Sequence, residues 1–348
     1  MCKTRVAKNY PRLKHSTGES EKRKAGKMSI LIITNKFDLS TDEVVSHLLK
    51  MDALVFRLNT EDLCSAIDTE LHITEGRFEA TFNSLIRSVN LSEIRSIFYR
   101  RPKQAEAISA RDETAKAFVK SETSTFLNWL WEALDCFWVS KPSHIRRAES
   151  KIDQLKVAPR FGFVIPKTLI TNNPATVRKF YSECGGKIIN KVLAKGMVEK
   201  EGRILGIYTR KVEPEHLDAL DSVKLAPCVF QESIEKAFEV RITIVGKQVF
   251  ATEIHSQNSQ RTKDDWRRYD LENTPHKEHV LPSEVESACL SLVRYYSLAF
   301  AAIDMIVTPQ EKYVFLEINP NGQWLWLEKL TSQPISKAIA QMLVRGAL

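Results

Sequence analysis

Residues 315–328, FLEINPNGQWLWLE, constrain this chain more than any other stretch. The first five favour a strand, and Glu317 and Asn319, two apart, then project from one face. An acid and an amide on a core strand are costly unless a partner meets them. Pro320-Asn321-Gly322 turns the chain sharply, and Trp324 and Trp326 follow at once. In an extended segment the two indoles would share a face, walling a site or packing the next helix. Just upstream, FAAIDMIVT carries Asp304, and Pro309-Gln310 joins the two strands as a hairpin. The hairpin brings Asp304 alongside Glu317 and Asn319. Two carboxylates and an amide oxygen suit Mg2+, which completes its shell with waters and nucleotide phosphates.

The chain of 348 residues is long enough for two or three domains. No apolar run approaches the roughly 18 residues of a membrane span. Residues 28–140 alternate strands and helices, predicting an α/β domain with right-handed crossovers. SILIIT reads as a buried strand and STDEVVSHLLKM as a helix capped by Ser40 or Thr41. A hairpin turns near Gly76-Arg77, and a long helix fills 111–135. Residues 141–226 predict a small central α+β domain. Its first helix sets Ile152, Leu155 and Val157 near one face, and 194–202 reads as a mobile turn. Residues 227–348 predict an antiparallel sheet with a helix at 283–297, its strands including FEVRITIVG and QVFATEIHS.

Net charge is +8, but residues 1–27 hold nine Lys or Arg against Glu19 and Glu21. That leaves +1 for the remainder, so the globular part carries no basic footprint for nucleic acid. The stretch 1–27 is expected to be a disordered basic tail, with Met28 an alternative start. Six scattered cysteines without a CxxC pair give neither zinc spacing nor a disulfide framework, and fit a reducing cytoplasm.

A magnesium-bound triphosphate also needs fixed cations. Lys151 opens a helix, and Lys191, with Lys187 as a neighbouring alternative, ends the strand GKIINK. In CVFQESIEKAFEVRITIVG, polar residues separate two strands. Such a hinge could meet an adenine edge, Glu235 or Glu232 a ribose hydroxyl, and Arg241 a phosphate. Each feature alone is equally well explained by an ordinary surface residue or hairpin.

Taken in order, Lys151, Lys191, QES (231–233), EVR (239–241), Asp304 and LEINP resemble the ATP-grasp pattern. FYRRP (98–102), EIHSQNSQRTKDDWRRYDL (253–271) and FLEINPNGQWLWLE resemble the graspetide (microviridin-type) maturases, over nearly all of 28–330. The resemblance implies a three-part ATP-grasp fold using ATP and Mg2+. Lys151 and Lys191 would bind phosphates; Gln231, Glu232, Ser233 and Ile234 would form the adenine hinge, with Glu235 near the ribose. Arg241 and Arg267 would neutralise the transferring phosphoryl group, and Asp304, Glu317 and Asn319 would hold magnesium. AKGMVEKEG is poorer in glycine than many phosphate-covering loops of the family.

The implied reaction is ADP-forming macrocyclisation of a ribosomal precursor peptide, leader plus core. An Asp or Glu side chain becomes an acyl phosphate; a Ser or Thr hydroxyl, or a Lys amine, attacks it to give an ester or amide. His255 or Glu253 would take the nucleophile's proton. Arg100 and Arg101, or 253–271, would meet an acidic peptide, and a homodimer is expected. The rival readings are an ATP-grasp ligase that adds an amino acid or amine to a peptide, a nucleotide-binding regulator without turnover, and a nucleic-acid binder acting through the tail.

Overall fold

A computed structural model describes residues 29–105, 111–194, 196–201 and 203–346. The expected basic tail, 1–27, lies outside them. SILIIT is apolar throughout because both of its faces are covered. Ser29–Thr34 lies inside a four-stranded parallel sheet in the order Leu54–Asn59, Ser29–Thr34, Ile94–Tyr99, Phe137–Val139. Ile30 and Ile32 meet Val44 and Leu48 of helix Leu39–Lys50 and Ile335, Ile339 and Leu343 of the last helix, Ile335–Gly346. Leu31 and Ile33 point the other way, into a cluster with Phe82 and Trp131. Phe82 belongs to a small antiparallel sheet (Ile67–Thr74, Arg77–Ser84, Ser88–Asn90), and Trp131 to helix Glu113–Ala133.

Asp38, rather than Ser40 or Thr41, caps helix Leu39–Lys50. Its carboxylate collects the Thr34 hydroxyl at 2.9 Å and the Thr41 hydroxyl at 2.7 Å, and accepts from the Thr41 N–H. A carboxylate outcompetes a hydroxyl there because it accepts several donors and complements the helix dipole.

The central sheet runs Arg210–Lys211, Ile188–Lys191, Cys228–Glu232, Thr168–Thr171, all antiparallel. Val177 and Phe180 of helix Pro174–Glu183 pack against its Ile188 and Phe230. The segment read as a mobile turn, 194–202, instead contributes strand Met197–Lys200, which pairs with Arg203–Gly206. Its interleaved charges hide β-formers that only cross-strand pairing reveals. Helix Lys151–Val157 buries Gln154 and Val157, whereas Ile152 is 60% exposed.

The third sheet is antiparallel, in the order His276–His279, Gln248–Ile254, Phe238–Val245, Phe300–Val307, Tyr313–Asn319. Val240, Ile242 and Ile244 share a core with Cys289, Leu292 and Val293 of helix Ser283–Tyr295. By alternation Glu239, Arg241 and Thr243 face the opposite way. The edge strand His276–His279 is too polar to announce itself in sequence. No helix among the described residues is long and apolar enough to cross a membrane.

The last helix therefore belongs to the core of the first sheet: Leu343 is fully buried, and its carbonyl accepts the Ser96 hydroxyl at 2.8 Å. Leu343→Ala should cost about 2–5 kcal/mol in urea unfolding. Ile152→Ala should stay within about 0.5 kcal/mol.

Candidate functional site

Strand pairing decides which side chains meet. Arg241 lies opposite Asp304, and Asp304 opposite Glu317. In a regular strand Phe315 and Glu317 would share a face. Met305 instead pairs with Phe315 while Asp304 pairs with Glu317, so Leu316 is the extra residue of a bulge. The bulge lets Phe315 enter the helix-packed core and turns Glu317 and Asn319 toward Arg241. Asn319 Nδ2 lies 2.9 Å from Asp304 Oδ2 and 3.2 Å from Glu317 Oε1. Arg241 Nη1 donates to Asp304 Oδ2 at 2.6 Å, and Lys151 Nζ lies 3.1 Å from Glu317 Oε2.

Burial alone would raise the Glu317 carboxyl, but Lys151, Lys191 and Arg267 outweigh it and hold it at about 2. Asp304 moves the opposite way: burial pushes it up, against the pull of Arg241 and with repulsion from Glu317. Burial likewise pulls Lys191 down, opposed by Glu317. The cluster offers two carboxylates and one amide, a hard oxygen set once the Asn319 amide turns its Oδ1 inward. Among the described residues no three His, Cys, Asp or Glu side chains converge as a metal site. That set fits Mg2+.

Three buried polar side chains fix the segments that carry this cluster, and the sequence reading gave none of them that part. Gln154 accepts the Ile318 N–H at 3.0 Å and donates to the Ile318 carbonyl at 2.9 Å, clamping the outermost strand to the helix that starts at Lys151. Arg100 is fully buried rather than available to a peptide. It donates to the Asn321 carbonyl, to the Gly322 carbonyl at 3.0 Å and to Gln323 Oε1 at 2.9 Å, with its guanidinium 4.6 Å from the Trp324 ring. Burial lowers its pKa to about 9, with Arg101 adding repulsion and Asp38 opposing. Asp265 holds Arg267 with both oxygens, at 2.8 and 2.6 Å, and accepts the Thr209 N–H at 3.0 Å. The sequence signal for Gln154 was a polar residue on the inner side of a short helix; for Asp265, an acid two before an arginine.

The turn after Asn319 passes directly over Arg241. A Cβ on Gly322 would lie 2.4 Å from Ala302 Cβ and 2.6 Å from Arg241 Nη2. The two tryptophans do not share a face, because helix Leu325–Thr331 begins between them. Trp324 is buried, donating to the Ser336 hydroxyl at 2.9 Å, while Trp326 stacks on Trp266.

Gln231 is buried and donates to the Thr168 hydroxyl at 2.9 Å. Glu232 and Ser233 spend their N–H groups on the Lys167 and Lys187 carbonyls, both at 2.9 Å. Gln231, Glu232, Ser233, Ile234 and Glu235 line one cleft with Lys151, Lys191, Arg241, Arg267, Asp304, Glu317 and Asn319. Arg101 lines it as well, with an exposed side chain. The cleft encloses about 1820 Å³, more than the roughly 300–1,000 Å³ of a typical small-molecule site. A nucleotide leaves room there for a second, larger substrate.

His255 is not brought to this site. Its ring packs 5.4 Å from Phe238, and Nε2 lies 2.8 Å from Glu253 Oε2. Glu253 pairs with Val240, a core-face residue, and its other oxygen meets His279 Nδ1 at 2.7 Å. Strand parity therefore puts Glu253 and His255 on the face away from Arg241, outside the lining of this cleft.

Residues 29–146 match the family described as the MvdD pre-ATP grasp domain. The chain is similar to a RiPP-associated ATP-grasp ligase of Chryseobacterium gregarium, solved in complex with ADP and a leader and core peptide. Identity is 32%, over 91% of this chain and 97% of that one, with a TM-score of 0.86. It is also similar to macrocyclase MdnC of Microcystis aeruginosa MRC, bound with precursor peptide MdnA: 31% identity, 91% and 100% coverage, TM-score 0.82. For macrocyclase MdnB of the same organism the values are 28%, 91%, 99% and 0.76. A comparison with curated proteins found no match.

Gly322→Ala should destabilise the protein by about 1–3 kcal/mol through overpacking, read as a lower unfolding midpoint. Asp265 tests the electrostatics. Burial would raise its carboxyl, but the Arg267 fork and the Thr209 N–H hold it at about 2, below the ordinary 3.8. Its stabilisation is therefore complete above pH ~4 and is lost as pH falls toward 2. Asp265→Asn should be less stable than the parent at neutral pH and lose stability less steeply between those limits, as measured by urea midpoints across pH.

Proposed function

The chain belongs to the RiPP-associated ATP-grasp ligases, and on that premise we propose that it macrocyclises a ribosomally made precursor peptide through an acyl phosphate, in the cytoplasm. The observation that carries this reading is the convergence of Lys151, Lys191, Arg241, Arg267, Asp304, Glu317 and Asn319 in one cleft with room for more than a nucleotide. The substrates are ATP and a leader-and-core peptide. The carboxylate of an Asp or Glu in the core takes the γ-phosphoryl group, releasing ADP. A Ser or Thr hydroxyl, or a Lys amine, of the same peptide then displaces phosphate to close an ester or amide ring.

Each residue's part follows from its surroundings. Residues 231–235 receive the adenine and ribose, and Lys151 and Lys191 receive phosphate oxygens. Lys191, with its charge already disfavoured by burial, gains most from an anion beside it. Asp304, Glu317 and Asn319 would hold Mg2+, which when bound supplies charge neutralisation to the phosphate oxygens. Arg267 presents a planar guanidinium that Asp265 has already oriented, so charge developing on the phosphoryl group meets a fixed donor. Arg241, immobilised by Asp304, does the same from the sheet. With His255 facing away, the nucleophile's proton is left to groups of the substrates themselves, the leaving phosphate included.

Incubating the enzyme with ATP, magnesium and the precursor should give peptide-dependent ADP and loss of one water mass per ring. A mass gain would instead mark an amino-acid-adding ligase, and ATP binding without turnover a regulator. Arg267→Lys should lower kcat by about 10²-fold, with peptide affinity unchanged in a titration.

A further inference from the structure

Beside the charged centre lies an uncharged aromatic wall for which the reading above has no use. Trp266 and Trp326 stack with ring centres 5.1 Å apart and planes 25° from parallel. Tyr269 meets Trp266 edge-on at 6.1 Å, and His276 meets Trp326 edge-on at 5.4 Å. Burial lowers the pKa of His276, so its ring stays neutral near pH 7. Trp266, Tyr269 and Trp326 all line the cleft. Both indoles are only half-buried, and Tyr269 is 52% exposed. Large aromatic surface left open beside a polar site is a binding surface rather than a core element.

The wall is fixed from two sides. Trp266 sits between Asp265 and Arg267, whose guanidinium is influenced by Glu317 and Asp304. The loop carrying it is tied at its base: the Ser259 hydroxyl donates to Asp270 at 2.6 Å, and the Thr262 hydroxyl donates to the Ser256 carbonyl at 2.8 Å and lies 3.1 Å from the Thr274 hydroxyl. Trp326 rides on the helix that follows the Asn319–Gly322 turn and is held at its start by buried Trp324. The stack thus joins the segment of Arg267 to the segment that follows Glu317 and Asn319, within the same cleft.

We propose that the Trp266–Trp326 stack seats the nucleophile-bearing segment of the peptide against the activated carboxylate and keeps water from it. The inference rests on the acyl-phosphate reading. At the acyl carbon two nucleophiles compete. The peptide hydroxyl or amine adds, the bond to the phosphate oxygen breaks, and phosphate leaves with a ring formed. Water doing the same returns the free carboxylate and phosphate, consuming ATP with no ring. A rigid apolar surface next to Arg267 favours the first outcome by positioning one competitor and excluding the other. Next to Arg267 in the sequence, the half-open, uncharged face of Trp266, stacked on Trp326, supplies such a surface in the same cleft as Lys151, Lys191 and Arg241.

The experiment measures ADP and rings together for the parent enzyme, Trp266→Ala, Trp326→Ala, the milder Trp326→Leu and the conservative Trp326→Phe, each checked for a native melting transition. The Ala variants should raise ADP formed per ring by about threefold or more, Trp326→Leu by less, and Trp326→Phe should restore the parent ratio. In 18O-water the excess turnover should place label in the recovered peptide carboxylate. A stack that merely braces the loop would lower ADP and rings in proportion, and an unchanged ratio in Trp326→Leu and Trp326→Ala overturns the proposal. Should the Ala variants not fold, the ratio in Trp326→Leu decides alone. Absence of peptide-dependent ADP in the parent enzyme would instead sink the macrocyclase reading, a separate and recognisable result.

Discussion

The pairing of Arg241 with Asp304 across neighbouring strands is the constraint on which the site depends. Both side chains are nearly removed from water, at 6% and 12% exposure. A buried ion pair is weak evidence for stability, because desolvation offsets much of its attraction. What it specifies is alignment. A one-residue slip between the strands would send Arg241 or Asp304 into the face packed by Cys289, Leu292 and Val293, where a lone charge is prohibitive. Apolar alternation sets that alignment from one face and this pair sets it from the other. The bulge at Leu316 then carries it across to Glu317 and Asn319.

Around that pair, the groups that face the cleft are held by groups that do not. Asp265 orients Arg267, Gln154 ties the strand of Glu317 to the helix of Lys151, and Arg100 grips the carbonyls of the turn that follows Asn319. These holders come from three separate parts of the chain, and each satisfies backbone or charged groups that would otherwise be buried unpaired. Dipoles and charges set in advance need little reorganisation when charge develops, which is where an electrostatic site gains its rate. The first domain, which contributes neither Lys151 nor Lys191, still reaches the turn that follows Asn319 through Arg100.

The strands, hairpins and acid-amide cluster could be read because they rest on local rules: period-two alternation, the Gly76-Arg77 and Pro309-Gln310 turns, and two-residue spacing. What escaped depends on pairing at a distance. Nothing local shows that Leu316 is a bulge, that Arg100 turns inward while Arg101 turns out, or that Asp38 outcompetes Ser40 as a cap. His255 was misplaced because the parity of its strand is set by the partner Phe238–Val245, not by its own sequence. Strand Met197–Lys200 was lost among charges for the same reason, and Trp324 and Trp326 parted because a helix begins between them.

The return of helix Ile335–Gly346 to the first sheet has an effect on biosynthesis. Ile30 and Ile32 leave the ribosome long before Ile339 and Leu343, which cover them. Domain-by-domain folding from the amino end is thus blocked at its first step. A nascent chain holds an unfinished greasy surface until that helix emerges, and any product released before it keeps the surface permanently, marking such molecules for chaperones and proteases.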